Sequence, residues 1–137
     1  MLDKTTSIFC CDWRINDFTC LLNPGEIVTE IVVPKMSGYK TGYMKMRLRE
    51  SIDFAITALA YAYKREGDKI VDARLAAGGI APVPVRLDAV EALLKSSALT
   101  DDLIAKAAEL AVASASPMKE NAYKLVEIKT QIKRSLV

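Results

Sequence analysis

The sequence predicts an α+β fold in which a three- or four-stranded antiparallel sheet packs on three helices. The prediction depends first on a break in composition, because residues 1–54 contain no alanine and all 18 alanines lie between Ala55 and Ala122. The first part is rich in Val, Ile, Thr, Tyr and Met, which favour strands. The last part is rich in Ala, Leu, Lys and Glu, which favour helices. Strands followed by helices are typical of an α+β fold rather than an alternating α/β fold.

The first strand is predicted over 26–33, after a turn at Asn23-Pro24-Gly25 and before Pro34. The second is predicted over 43–48, where Tyr, Lys and Arg alternate with Met, Met and Leu. This alternation has the period of two that a half-buried strand requires.

The run 54–63 is ambiguous, because its alanines suggest a helix while its aromatic and β-branched residues suit a central strand. The next residues favour the strand. Arg65-Glu66-Gly67-Asp68 is typical of a tight turn, and 70–77 reads as a further strand. Two runs joined by a short turn that contains glycine indicate a hairpin. The second of these strands ends at Gly78-Gly79.

Three helices are predicted in the alanine-rich part. The first begins near Arg86, the second begins after Thr100 as N-cap, and the third runs from about Glu120 to the end, after a break at Ser116-Pro117. The periodicity of apolar residues predicts which side chains face the core. These are Val90, Leu93 and Leu94 in the first helix, Leu103, Ile104, Ala107, Ala108 and Ala111 in the second, and Ala122, Leu125, Ile128, Ile132 and Leu136 in the third.

Composition and charge restrict the function classes. The 137 residues suit one domain, and a net charge of +2 gives no basis for nucleic-acid binding. No apolar run approaches the roughly 20 residues of a membrane helix. The odd number of cysteines (Cys10, Cys11 and Cys20) and the lack of a signal-peptide pattern predict a cytoplasmic protein with reduced thiols, and their spacing matches no common metal site.

The sequence contains no histidine. This excludes a Ser-His-Asp or Cys-His catalytic site and a histidine-based zinc site within the chain. Whether the chain takes part in catalysis is left open by its residues, and reactive chemistry would have to come from a cofactor or from another chain.

A cluster of charges follows the second predicted strand. Lys45, Arg47 and Arg49 alternate along one strand face, with Glu50 and Asp53 just beyond. One interpretation is a solvated face with a local ion pair. The other is a small cationic face directed at an anion or an electron-rich ring.

Four motifs occur in a fixed order. They are Pro-Gly-Glu-Ile-Val-Thr-Glu-Ile-Val-Val-Pro at 24–34, Tyr43-x-Lys45-x-x-x-Arg49-x-x-x-Asp53-Phe54-Ala55, the run Ala73 to Pro84 with Gly78-Gly79 followed by Arg86, and Glu120-Asn121-Ala122-Tyr123-Lys124. Together they resemble the C-terminal domain of the FAD-binding (medium) subunit in the xanthine dehydrogenase and carbon monoxide dehydrogenase family of molybdenum hydroxylases. The resemblance covers about residues 23–137.

The resemblance implies an electron-transfer role. In this family electrons pass from a molybdenum-cofactor subunit through an iron–sulfur subunit to FAD, and then to NAD or another acceptor. Residues 1–34 would be the tail of a preceding FAD-binding domain with one strand, and 35–137 the flavoprotein C-terminal α+β domain. Ile27, Val28 and Lys45 match positions that contact the flavin, and Arg49 to Asp53 match a loop beside it.

The resemblance also implies what the chain does not do alone. The family's FAD phosphate-binding motifs belong to the preceding domain, so we expect this chain by itself not to hold FAD tightly. We expect an apolar surface near 23–33 to favour self-association. The alternative function is a stand-alone, non-catalytic interaction or assembly module with the same fold.

Overall fold

The computed structural model describes residues 14–16, 19–20, 24–25, 27, 29–50, 52–95 and 97–137. Two short strands, β1 (Arg14–Asn16) and β2 (Thr19–Cys20), pair antiparallel ahead of the main sheet. Cys10 and Cys11 lie outside the described residues.

The main sheet contains three long strands and two very short ones, all antiparallel. The long strands are β3 (Lys40–Met46), β4 (Thr57–Glu66) and β5 (Lys69–Gly78). The short strands, β6 (Val85–Arg86) and β7 (Ser97–Ala98), both pair with β5. The order is β3-β4-β5-β6, so β4 is central and β3 is an edge strand. The predicted α+β class is confirmed, and the two short strands extend the predicted three or four strands to five.

The β4–β5 hairpin resolves the ambiguous run in favour of a strand. Glu66 pairs with Lys69 across the turn, where Gly67 has a φ of 61°. β4 lies between β3 and β5, so its backbone is hydrogen-bonded along both edges, which explains why its alanine-rich sequence is not helical. Its buried residues lie on both faces of the sheet, with Ala58 and Ala62 on one and Leu59 and Tyr63 on the other. The strand begins at Thr57 rather than at Phe54, whose side chain is 94% exposed.

Three helices follow the hairpin within the described part of the chain: α1 (Asp88–Leu94), α2 (Asp101–Leu110) and α3 (Tyr123–Leu136). The Thr100 hydroxyl accepts a hydrogen bond from the Leu103 amide at 3.2 Å, which confirms the predicted N-cap. α3 begins later than predicted, and Ala122 is exposed instead of buried. Residue 122 precedes the first regular turn of the helix, so the helical periodicity does not apply to it.

The helices cover one face of the sheet. The strand register places Leu59, Tyr63, Ala73, Leu75 and Ala77 on this face, and they form one buried cluster with side chains of all three helices. The helical members of the cluster are Val90, Leu94, Ala107, Ala108, Ile128, Ile132 and Leu136.

The strand predicted over 26–33 is wrong for the residues of this range that the structure describes. Ile27 and residues 29–33 have no regular secondary structure, and Ile31, Val32 and Val33 are exposed. A strand needs a neighbour for its backbone hydrogen bonds, and the described ladder partner of β3 is β4. High β propensity is therefore not sufficient here to form a strand.

The helix-covered core makes a direct stability prediction. Ile132 is fully buried in α3, so Ile132→Ala is expected to lower the free energy of unfolding by about 3 kcal/mol, measured by urea titration. Val126 lies in the same helix with 66% of its surface exposed, and Val126→Ala is expected to stay within about 0.5 kcal/mol of wild type. Equal effects of the two substitutions would contradict this assignment of the buried face.

Candidate functional site

The second face of the sheet carries the residues of interest, and we call it the open face. It is defined by three cross-strand rows that alternate with the rows of the helix-covered face. Its centre is made of small side chains, and its longer side chains lie at the edges. The rows are Lys45–Ala58–Gly78, Tyr43–Ala60–Ala76 and Thr41–Ala62–Arg74.

Lys45 occupies the end of β3, at the edge of this face. Its side chain is exposed, and its Nζ donates a hydrogen bond to the backbone oxygen of Asp53 at 2.5 Å. The neighbouring residues in its row are alanine and glycine, so no bulky side chain stands beside the ammonium on β4 or β5. Lys45 therefore borders small side chains, of which Ala58 is itself buried while Gly78 is partly exposed.

The β3–β4 loop carries the predicted ion pair. The Arg49 guanidinium lies 3.4 Å from the Asp53 carboxylate, which also accepts a hydrogen bond from the Phe54 amide at 3.0 Å. The hydrogen bond from Arg49 lowers the pKa of the Asp53 carboxyl below its usual value, so the carboxylate is charged at neutral pH. β3 ends at Met46. The prediction that Arg47 and Arg49 continue the strand face of Lys45 is therefore wrong, although the local ion pair is confirmed.

The same loop presents apolar side chains to its surroundings. Ile52 is 100% exposed, and Leu48 and Phe54 are exposed to a similar degree. Tyr43, in the row beside Lys45, is also largely exposed. The sequence prediction missed this exposure because it assigned 54–63 to a buried strand. The Asp-Phe pair at the end of a charged loop is the signal that could have indicated it.

The opposite end of the open face is held by a polar cluster. The Tyr39 hydroxyl donates to the Asp72 carboxylate at 2.5 Å, and the Arg74 guanidinium lies 3.5 Å from the same carboxylate and 6.0 Å from the Tyr39 ring. The hydrogen bond to Asp72 raises the pKa of the Tyr39 phenol. These groups satisfy one another, so this cluster fixes the sheet rather than offering a free charge.

Gly78 and Gly79 form a tight exit from β5, as predicted. Gly79 has a φ of 74°, and a Cβ atom at this position would lie 2.7 Å from the backbone oxygen of Ile56. The Lys124 ammonium at the start of α3 donates to the Gly79 oxygen at 2.7 Å. Two of the four motifs that carry the family resemblance, the run from Ala73 to Pro84 and the run from Glu120 to Lys124, therefore contact each other here and connect β5 to α3.

The structure describes two of the three residues that the resemblance placed at the flavin. Lys45 lies on the open face, whereas Ile27 lies in a stretch without regular structure and is 79% exposed. Val28 lies outside the described residues. The cofactor contact of these three residues thus stays a prediction.

No group of three or more His, Cys, Asp or Glu side chains in the part of the chain that the structure describes is arranged to hold a metal ion. None of its helices is long and apolar enough to cross a membrane.

The fold and the site define a class of small α+β domains whose antiparallel sheet has one face covered by three helices. Residues 42–137 match the family described as CO dehydrogenase flavoprotein C-terminal domain. The chain belongs to this family.

Curated relatives agree with this assignment. The glyceraldehyde dehydrogenase medium chain of Sulfolobus acidocaldarius is 40% identical over 72% of this chain, which covers 34% of that protein. The aldehyde oxidoreductase FAD-binding subunit PaoB of Escherichia coli is 34% identical over 90% of this chain and 37% of its own length. The chain thus spans about a third of these relatives.

Solved structures show the same fold. Carbon monoxide dehydrogenase from Hydrogenophaga pseudoflava, in a form that lacks the Mo-pyranopterin moiety of the molybdenum cofactor, matches with a TM-score of 0.80 and 26% identity. The match covers 89% of this chain and 44% of that one. Quinoline 2-oxidoreductase from Pseudomonas putida has a TM-score of 0.63 at 20% identity, which is a likeness of fold alone.

Proposed function

We propose that this chain acts as the C-terminal domain of the FAD-binding subunit of a molybdenum-dependent oxidoreductase and covers the flavin held by a preceding domain. Membership of the flavoprotein C-terminal domain family supports this role, as does similarity to a protein named as an FAD-binding subunit. The observation that carries the proposal is the position of Lys45 at the edge of the open face.

The residues of the open face fit one side of a flavin ring. A lysine ammonium has three donors, and Asp53 takes one of them, so others remain for a ring oxygen or nitrogen. Ala58 and Gly78 leave room beside it, and the exposed Tyr43 adds aromatic surface. The sequence has no Gly-rich phosphate-binding loop. The chain would therefore supply one wall of the site and no grip on the phosphates.

FAD, when bound, supplies the two-electron redox chemistry. The contribution of this chain is electrostatic and steric. With FAD in place, the Lys45 ammonium would stabilise negative charge on the ring, and the loop that carries Ile52 and Phe54 would limit access of water and acceptors to it.

The remaining parts of the proposal concern neighbours. Residues 1–34 form the tail of the preceding FAD-binding domain, with Ile27 and Val28 lining the flavin, and 35–137 form the C-terminal domain. An iron–sulfur subunit and a molybdenum-cofactor subunit deliver electrons to the flavin, and NAD or another acceptor removes them. The complex works in the cytoplasm, in keeping with the uneven number of cysteines.

Flavin fluorescence tests whether the chain covers the ring. Iodide quenches an exposed flavin, so addition of this chain to the FAD-loaded preceding domain is expected to reduce iodide quenching. A Phe54→Asp variant, which places a charge in the apolar part of the loop, serves as the matched control and is expected to protect less. Identical quenching with and without the wild-type chain would contradict the proposed role.

Self-association of the isolated chain is a separate prediction. Ile31, Val32 and Val33 are consecutive exposed aliphatic residues ahead of the sheet, and uncovered apolar surface of this kind promotes association. Light scattering is expected to show dimers or larger species at high concentration, and Ile31→Ser with Val32→Ser is expected to return the chain to monomer. A strictly monomeric wild-type chain under the same conditions would disprove this prediction.

A further inference from the structure

We infer that Asp53 is a positioning residue that holds the Lys45 ammonium in place through the peptide bond between Asp53 and Phe54. The inference deepens the proposed function, because Lys45 is the residue assigned there to the flavin.

A single peptide group is bound on both of its sides. Its carbonyl oxygen, on Asp53, accepts the hydrogen bond from Lys45 Nζ at 2.5 Å, and its N–H, on Phe54, donates to the Asp53 carboxylate at 3.0 Å. The oxygen and the N–H of a trans peptide point in opposite directions. The ammonium and the carboxylate therefore fix the orientation of this peptide plane together, and the two hydrogen bonds polarise each other.

Arg49 holds the carboxylate in turn. Its Nε and one terminal nitrogen each lie 3.4 Å from a different Asp53 oxygen, which is the forked geometry of an arginine–carboxylate pair. The Asp53 side chain is only 16% exposed although the Arg49 side chain is 71% exposed. The carboxylate is thus partly shielded by the loop, whereas the Arg49 side chain lies largely in solvent.

The base of the loop is also fixed. The Ile56 amide donates to the Met46 oxygen at 2.8 Å, directly beside the end of β3. With the base closed by this bond and the middle closed by the Arg49–Asp53 pair, the Asp53 carbonyl is held at a defined distance from Lys45. The consequence is a chain of contacts from Arg49 through Asp53 to Lys45.

Amide hydrogen exchange in the isolated chain tests this arrangement without any flavin. In Asp53→Ala the carbonyl that Lys45 uses remains, but the acceptor for the Phe54 amide is lost, so this amide is expected to exchange roughly tenfold faster. Asp53→Asn keeps a weaker acceptor, so the exchange rate of its Phe54 amide is expected to lie between the rates of wild type and Asp53→Ala. Asp102→Ala, an exposed aspartate in α2, is the control and is expected to leave the exchange of Phe54 unchanged.

A thermal melt of each variant, together with amides of the β4–β5 hairpin, shows whether the fold is intact. Faster exchange confined to the loop supports the inference. Unchanged exchange of Phe54 in Asp53→Ala, or faster exchange throughout the chain, would overturn it.

The reduction potential of the flavin in the complete subunit tests the consequence for Lys45. Because Asp53→Ala alone would also remove a negative charge, it is combined with Arg49→Met so that the net charge stays the same. This double variant is expected to shift the potential in the same direction as Lys45→Met, and to cause no further shift when Lys45 is already methionine. An equal shift in both backgrounds would assign Asp53 a role that does not act through Lys45 and would overturn the inference. If Lys45→Met itself leaves the potential unchanged, the proposed flavin contact fails. Exchange of the Phe54 amide in Lys45→Met, which removes the other hydrogen bond of the same peptide group, then decides whether Lys45 and Asp53 are coupled through that group, and unchanged exchange would overturn the inference.

Discussion

Replacement of Lys45 by methionine is expected to lower the reduction potential of the flavin in the complete FAD-binding subunit. Methionine keeps most of the apolar stem and removes the charge. Loss of a positive charge beside the ring destabilises the reduced, more negative form. A tenfold change in the equilibrium between oxidised and reduced flavin corresponds to about 30 mV for a two-electron couple, and we expect a shift of about this size.

Two further measurements separate this effect from general damage. FAD retention is expected to weaken, while the melting temperature stays near that of wild type because the Lys45 side chain is exposed. Lys69→Met is the matched control, since Lys69 is an exposed lysine at the hairpin turn, next to Asp68. An unchanged potential together with unchanged FAD affinity in Lys45→Met would leave Lys45 as an ordinary solvated lysine.

Replacement of Gly79 by alanine is expected to lower the free energy of unfolding by about 3 kcal/mol. Part of the loss is the left-handed backbone, since a φ of 74° costs a residue with a Cβ atom roughly 1–2 kcal/mol. The rest is the contact of that Cβ atom with the Ile56 oxygen at 2.7 Å, which adds a similar amount. The Ile56 backbone cannot move away easily, because its amide is bound to β3.

Gly67→Ala is the control that measures the cost of the left-handed backbone alone. Gly67 also has a positive φ, of 61°, but a Cβ atom there would have no neighbour within 4 Å. We expect this substitution to cost about 1 kcal/mol. Urea denaturation of both variants measures the difference, and a loss in Gly79→Ala no larger than that in Gly67→Ala would show that the predicted contact is absent.

The sequence predicted the parts of the fold that local signals define. The turn at Gly67, between two apolar runs, indicated the β4–β5 hairpin, and Thr100 followed by Asp101 and Asp102 indicated the start of α2. These signals depend on a few neighbouring residues, so they can be interpreted without knowledge of the tertiary structure. The two-residue strands β6 and β7 were not predicted, because their pairing with β5 depends on contacts made far along the chain.

The errors arose where a neighbour decides the outcome. Residues 29–33 are rich in residues that favour strands but have no described pairing partner. Phe54 has a large apolar side chain of the kind found in cores, but it lies in an exposed loop. One of the two contacts in the charged cluster was predicted from the sequence, and the other was not. The Arg49–Asp53 pair follows from its spacing, whereas the hydrogen bond from Lys45 to the Asp53 backbone depends on the path of the loop.

Isolation of the native complex through an affinity tag on this chain tests whether the chain closes over the flavin of a molybdenum-dependent oxidoreductase. We expect the chain to be recovered with stoichiometric FAD, iron–sulfur clusters and molybdenum, quantified by absorption spectra and metal analysis. Recovery of the chain free of flavin and metal, under conditions that keep other oxidoreductase complexes of the same cells intact, would contradict this role.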